Sequence, residues 1–78
     1  MNTGMLWFDN DPSETLSVKI RKAVTYYQKK FGRLPDLCLV HPGLLGNGGE
    51  SLVVYKITVR AYRPVLPGHF WIGVQDQN

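Results

Sequence analysis

Cysteine is almost absent from this chain: Cys38 stands alone among 78 residues, beside two histidines. One thiol cannot close an intrachain disulfide, nor supply the Cys-rich ligand set of a structural zinc site. Long apolar runs are missing too, and none approaches the ~18 residues that span a bilayer. The start, Met1-Asn2-Thr3-Gly4-Met5, lacks the basic stretch and apolar core of a signal peptide. The expectation is a cytoplasmic protein with no membrane partner. Charge is sparse at 19%, while 44% of residues are hydrophobic, which excludes a disordered chain. Repeats, low-complexity tracts and linkers are absent. Residues 1–78 therefore read as one small domain, with a polar tail at 75–78.

What is present begins with Gly4-Met5-Leu6-Trp7-Phe8, an aromatic-rich strand. Asp11, Pro12 and Glu14 carry a helix-start pattern: N-cap, first helical residue and capping-box acid. Leu16, Ile20, Ala23, Val24, Tyr27 and Phe31 then recur at spacings of three and four, forming one apolar stripe. Gly32 is the expected stop. The pattern predicts a helix over Pro12 to Phe31. Leu37-Cys38-Leu39-Val40-His41 is a continuous apolar run, as in strands buried on both faces and often parallel. Gly46-Asn47-Gly48-Gly49 predicts a flexible turn, a hairpin tip.

Ser51 to Tyr62 alternates and predicts one half-buried strand. Val53, Tyr55, Ile57, Val59 and Ala61 would face one way. Val54, Lys56, Thr58, Arg60 and Tyr62 would face the other. His69 to Val74 is the last strand, expected to form a hairpin with it. The order strand-helix-strand-strand-strand predicts an α+β two-layer sandwich, one long amphipathic helix on a sheet of about four strands. The first two strands are expected either to be parallel, joined by a right-handed helical crossover, or to be antiparallel with the helix between them. One helix covers one face of such a sheet. The other face must be polar or paired with something else.

A chain this short buries only ~60–65% of its unfolded surface. Without disulfide or metal, oligomerisation is the staple left, so a homodimer is expected. Two surfaces are candidates for contact. Residues 1–18 carry −3 and residues 19–33 carry +6. Lys19, Lys22, Tyr26, Lys29 and Lys30 share one side of the helix, a stripe able to meet phosphates or simply to face solvent. Lys56, Arg60, Tyr62, His69 and Trp71 would share the open sheet face. Interleaved basic and aromatic residues there suit a dimer interface or stacked bases. The Pro64 to Trp71 segment is unusually apolar for a bend, as residues tucked onto a core or shown to a partner are.

Other constellations fall short. His41 and His69, with Cys38 or Asp36, lack metal-ligand spacing. Cys38 sits among Leu37, Leu39 and Val40, a small hydrophobe with a raised pKa rather than a nucleophile. Asp9-Asn10-Asp11 lacks the glycine and terminal glutamate of a calcium loop. The glycine-rich tip has no following Lys-Ser/Thr. Asp36, His41 and His69 are the acids and bases a small enzyme could bring together. No metal, cofactor or catalytic residue is expected. The first expectation for function is a non-enzymatic interaction module, homodimeric through its open sheet face; the alternative is a nucleic-acid-binding accessory protein.

Overall fold

The computed structural model describes residues 3–46 and 51–75. It is an α+β fold in which one helix packs on a five-stranded mixed sheet. The elements are β1 (Thr3–Phe8), α1 (Leu16–Phe31), β2 (Leu37–Val40), a 3₁₀ turn (Pro42–Leu45), β3 (Ser51–Val54), β4 (Ile57–Ala61) and β5 (His69–Val74). The strands run in the order β1-β5-β2-β4-β3. β5 is antiparallel to both β1 and β2, so β1 and β2 are parallel to each other, the crossover alternative, with β5 between them. β2 is parallel to β4, and β4 is antiparallel to β3.

The helix begins later than its sequence pattern predicts. Thr15 is the N-cap, its hydroxyl accepting from the Val18 N–H at 3.3 Å. Asp11 is occupied elsewhere: its carboxylate accepts from the Ser13 hydroxyl at 2.7 Å and the Ser13 N–H at 2.9 Å. Those bonds hold its pKa below the usual carboxylate range. The local turn it makes competes with capping, and the helix starts at a later acceptor, the Thr15 hydroxyl. Gly32 ends the helix as expected, left-handed at φ 75°, its N–H donating to the Gln28 carbonyl at 2.8 Å.

Ile20, Ala23 and Tyr27 are the helix's buried contribution. Ile20 meets Cys38, Val40, Ile57, Val59 and Phe70 in one cluster, and Ala23 and Tyr27 meet Ile72 in another. Tyr27 also packs against Phe31 with the rings tilted, centroids 4.5 Å apart. β2 is the strand buried on both faces that its apolar run implies: Leu37, Cys38 and Val40 are all buried.

The single strand expected from 51 to 62 is instead two strands and a turn. Tyr55 and Lys56 take φ of 52° and 64°, the left-handed pair of a two-residue hairpin. Val54 and Ile57 lie opposite one another and face the helix. The turn reverses the facing of everything before it, so Val53 lies on the open face and Val54 on the core face. From Ile57 onward the expected alternation holds. The hairpin expected between the last two strands does not form, because β2 lies between β4 and β5. Left-handed backbone costs L-residues about 1–2 kcal/mol each. Replacing Tyr55-Lys56 by Asn-Gly is therefore expected to stabilise the domain by about 1 kcal/mol, raising the thermal midpoint by roughly 4–8 °C. An unchanged or lower midpoint would contradict the turn.

Candidate functional site on the open sheet face

The strand registers set the open face row by row. Arg60 of β4 is opposite Leu39 of β2, Leu39 opposite Trp71 of β5, and Trp71 opposite Leu6 of β1. The row beside it runs through Thr58, Leu37, Gly73 and Gly4. Beyond it, His69 is opposite Phe8. Alternation places Tyr62 on the same side as Arg60. Arg60 is the charged residue in these rows among the described residues.

Two features shape this face. Gly4 gives Trp71 room: a Cβ at Gly4 would lie 2.3 Å from the indole ring and 2.7 Å from the Ile72 carbonyl oxygen. The indole thus lies against Gly4 of β1, an aromatic shielding a strand glycine. The second feature is the 62–68 segment that joins β4 to β5 across the end of β2. Its N–H groups are tied down: Val65 donates to the Tyr62 carbonyl at 3.1 Å, and His69 donates to the Leu66 carbonyl at 3.0 Å. The Asp9 N–H donates to the Gly68 carbonyl at 2.8 Å, anchoring the segment to the end of β1. Gly68 needs its positive φ of 83° there and lies close to the Phe8 ring. Val65 folds inward, 7% exposed.

Sheet and segment together form a largely apolar, open-mouthed pocket of about 500 Å³. Leu39 and Trp71 belong to its sheet side, Pro64, Val65 and Leu66 to the segment, and Leu6, Tyr62 and His69 complete it. The His69 ring packs on Phe8 with centroids 4.8 Å apart. Its Nδ1 lies 3.3 Å from the Pro67 carbonyl oxygen. A carbonyl can only accept, so Nδ1 carries the proton in this contact.

The expected sheet-face set is mostly brought together. Arg60, Tyr62, His69 and Trp71 share the open face, and Trp71 faces away from the helix. Lys56 does not join them, because it sits in the β3–β4 turn. Of the two expectations for this face, polar or paired with something else, its apolar described residues do not fit the polar one. Leu6, Phe8 and Leu66 are 63%, 56% and 64% exposed. Leu6, Phe8 and Leu39 were missed as site residues. The signal was in β1, where Met5 and Trp7 alternate with Leu6 and Phe8, so both faces of that strand are apolar.

The helix stripe is less uniform than its sequence suggests. The Lys22 ammonium pairs with Glu14 at 2.6 Å, a contact that raises its pKa. Tyr26 leans on Trp7, with centroids 5.2 Å apart, and Lys30 lies over the Phe31 ring. Lys19 is half-buried, and Lys29 is exposed.

Asp36, His41 and His69 do not converge. Asp36 and His41 flank β2 at opposite ends, about 16 Å apart at ~3.3 Å per residue. The Asp36 carboxylate accepts from the Gln75 N–H at 2.9 Å. His41 Nδ1 accepts from the Gly43 N–H at 3.0 Å, capping the 3₁₀ turn. Among the described residues no three His, Cys, Asp or Glu side chains gather around a common point. No helix among them is long and apolar enough to cross a membrane. Asn47 to Glu50, most of the glycine-rich tip, and Asp76 to Asn78 of the polar tail lie outside the described residues. Compared with known protein families, curated proteins and solved structures, the chain matches none.

Proposed function

We propose that this domain is a non-enzymatic protein-interaction module whose open sheet face docks on a second copy of the same chain. The observation that carries it is the apolar character of that face: Leu6, Phe8 and Leu66 are each more than half exposed on the side the helix does not cover. Burying such surface gains roughly 25 cal/mol per Å². A second copy suits this face because desolvation costs little there: Arg60 is its charge among the described residues, and its long stem can stay in contact while the guanidinium reaches water. Association also supplies what a 78-residue chain without a disulfide otherwise lacks.

The nucleic-acid alternative has weaker support. With Lys56 in a turn, one lysine or arginine remains in the strand rows of the face, and Lys22 on the helix is neutralised by Glu14. Phosphate contacts give such binding most of its affinity.

Sedimentation velocity tests the proposal. The expected mass is twice the 8.9 kDa chain at a concentration of about 100 µM. The double substitution Leu6→Asn and Leu66→Asn should return it to the monomer while leaving the far-ultraviolet circular dichroism unchanged. A wild-type monomer at about 1 mM would sink the proposal.

A further inference from the structure

We infer that the pocket at the end of the open face binds a small amphipathic organic anion, an aromatic ring system carrying one carboxylate, with the ring in the pocket and the carboxylate toward Arg60. This goes beyond the interaction module: one chain builds the whole pocket, but Leu6 and Leu66 line it and also lie on the face proposed for the second copy, so ligand and second copy compete for it.

Four observations carry the inference. The volume of about 500 Å³ lies within the range of small-molecule sites and leaves ample space for a two-ring system. The lining is planar and apolar: the Trp71 indole and Tyr62 phenol are joined by aliphatic side chains, surfaces on which an aromatic ring stacks. The pocket is also formed in advance. Two prolines stiffen its segment, three backbone hydrogen bonds fix the segment's ends, and Trp71 is seated on Gly4, so little ordering is left for a ligand to cause.

The fourth observation is charge. No acidic side chain lines the pocket or lies in the open-face rows among the described residues. Arg60 shares its row with Leu39 and Trp71, two of the lining residues, and Arg63 follows Tyr62 in the connecting segment. The Arg60 guanidinium has no hydrogen-bond or ion-pair partner among the described residues, nor has the Tyr62 hydroxyl. His69 already uses Nδ1 on Pro67 and serves as a wall. A ligand of matching chemistry offers an apolar plate with negative charge at one edge. A planar carboxylate is the group a guanidinium fork meets with two parallel hydrogen bonds.

The test uses the full chain labelled with ¹⁵N, titrated with naphthalene-2-carboxylate and separately with uncharged 2-naphthalenemethanol. The carboxylate is expected to bind with a dissociation constant below about 1 mM. It should shift the Trp71 indole N–H and the Leu39 and Leu66 amides, and leave the Trp7 indole in place. The alcohol should bind about tenfold more weakly at low salt, with added salt narrowing the gap. Arg60→Gln should make the two probes equal while keeping a dispersed, folded spectrum. Equal affinities in the wild type, shifts centred on Trp7, or no shift up to the solubility limit would each overturn the inference. Sedimentation of the same samples separates it from dimerisation. A monomer that binds the carboxylate keeps the ligand site and removes the dimer; a dimer that the carboxylate dissociates supports both, and a dimer that neither shifts nor dissociates overturns the ligand site.

Discussion

Phe70→Ala is expected to remove about 3–5 kcal/mol of stability. Phe70 is fully buried on the core face of β5, the strand that joins β1 to β2. It is opposite Trp7 on one side and Val40 on the other, and it shares a cluster with Ile20 of the helix. Removing the ring therefore opens a cavity where both layers and three strands meet. Close-packed surroundings relax only partly into such a space, which is why the cost exceeds the transfer energy alone. At roughly 0.05–0.15 kcal/mol per residue, a domain of this size holds about 4–12 kcal/mol in total. Urea denaturation followed by circular dichroism measures the loss. Phe70→Leu fills most of the volume and should cost below about 1.5 kcal/mol, so it stays folded and gives a measurable reference if the alanine variant does not. A loss under about 1 kcal/mol for Phe70→Ala would place the residue outside the core.

Several of these features were legible in the residues. The 3-and-4 spacing from Leu16 to Phe31 and the stop at Gly32 identify the helix, because burial on one stripe and a left-handed cap leave direct marks in sequence. The helix start was obscured because Asp11 fits both a cap and a local turn, and Ser13 decides between them. The β3–β4 turn left no mark at all. Tyr55 and Lys56 are not turn formers, and Val53 to Tyr62 keeps a regular alternation straight through them. Tertiary pairing imposes a backbone there that local preference disfavours. That missed turn has consequences for the site. It removes Lys56 from the open face and brings Val53 onto it, so the surface loses a charge and gains an apolar side chain.

Strand order was beyond sequence for a different reason. Nothing local tells β5 to enter between β1 and β2, yet that insertion builds the site. It puts Trp71 beside Leu6 and over Gly4, and it carries the 62–68 segment across the end of β2. Gly4 reads in sequence as a plain small residue at a strand start. Its role appears once Trp71, 67 positions later, is laid on it. A pocket assembled from β1, β2, β5 and a connecting segment has no sequence spacing to recognise, whereas its apolar content in Pro64 to Trp71 was plain.

High pH is expected to destabilise the protein through Cys38. The thiol is fully buried on the core face of the central strand, and burial alone pushes its pKa from 9.0 up to about 12. In the folded chain the group therefore keeps its proton throughout this range, while in the unfolded chain it loses the proton near its ordinary value. Between those two values the folded state binds more protons than the unfolded one, so unfolding is favoured as pH rises. The stabilising contribution is complete below about pH 9 and falls by about 1.4 kcal/mol per pH unit up to about pH 12. Cys38→Ala removes the group. Its stability, measured by urea denaturation from pH 8 to 11, should lack this part of the decline, so that the curves of the two proteins converge or cross on the alkaline side. Tyrosines and lysines titrate in the same range in both proteins, and the difference between the curves isolates Cys38. Parallel curves would mean that the thiol is reached by water in the folded state. The same burial predicts that an aromatic disulfide reagent at pH 8 modifies Cys38 at the rate of unfolding, with the rate independent of reagent concentration once reagent is in excess.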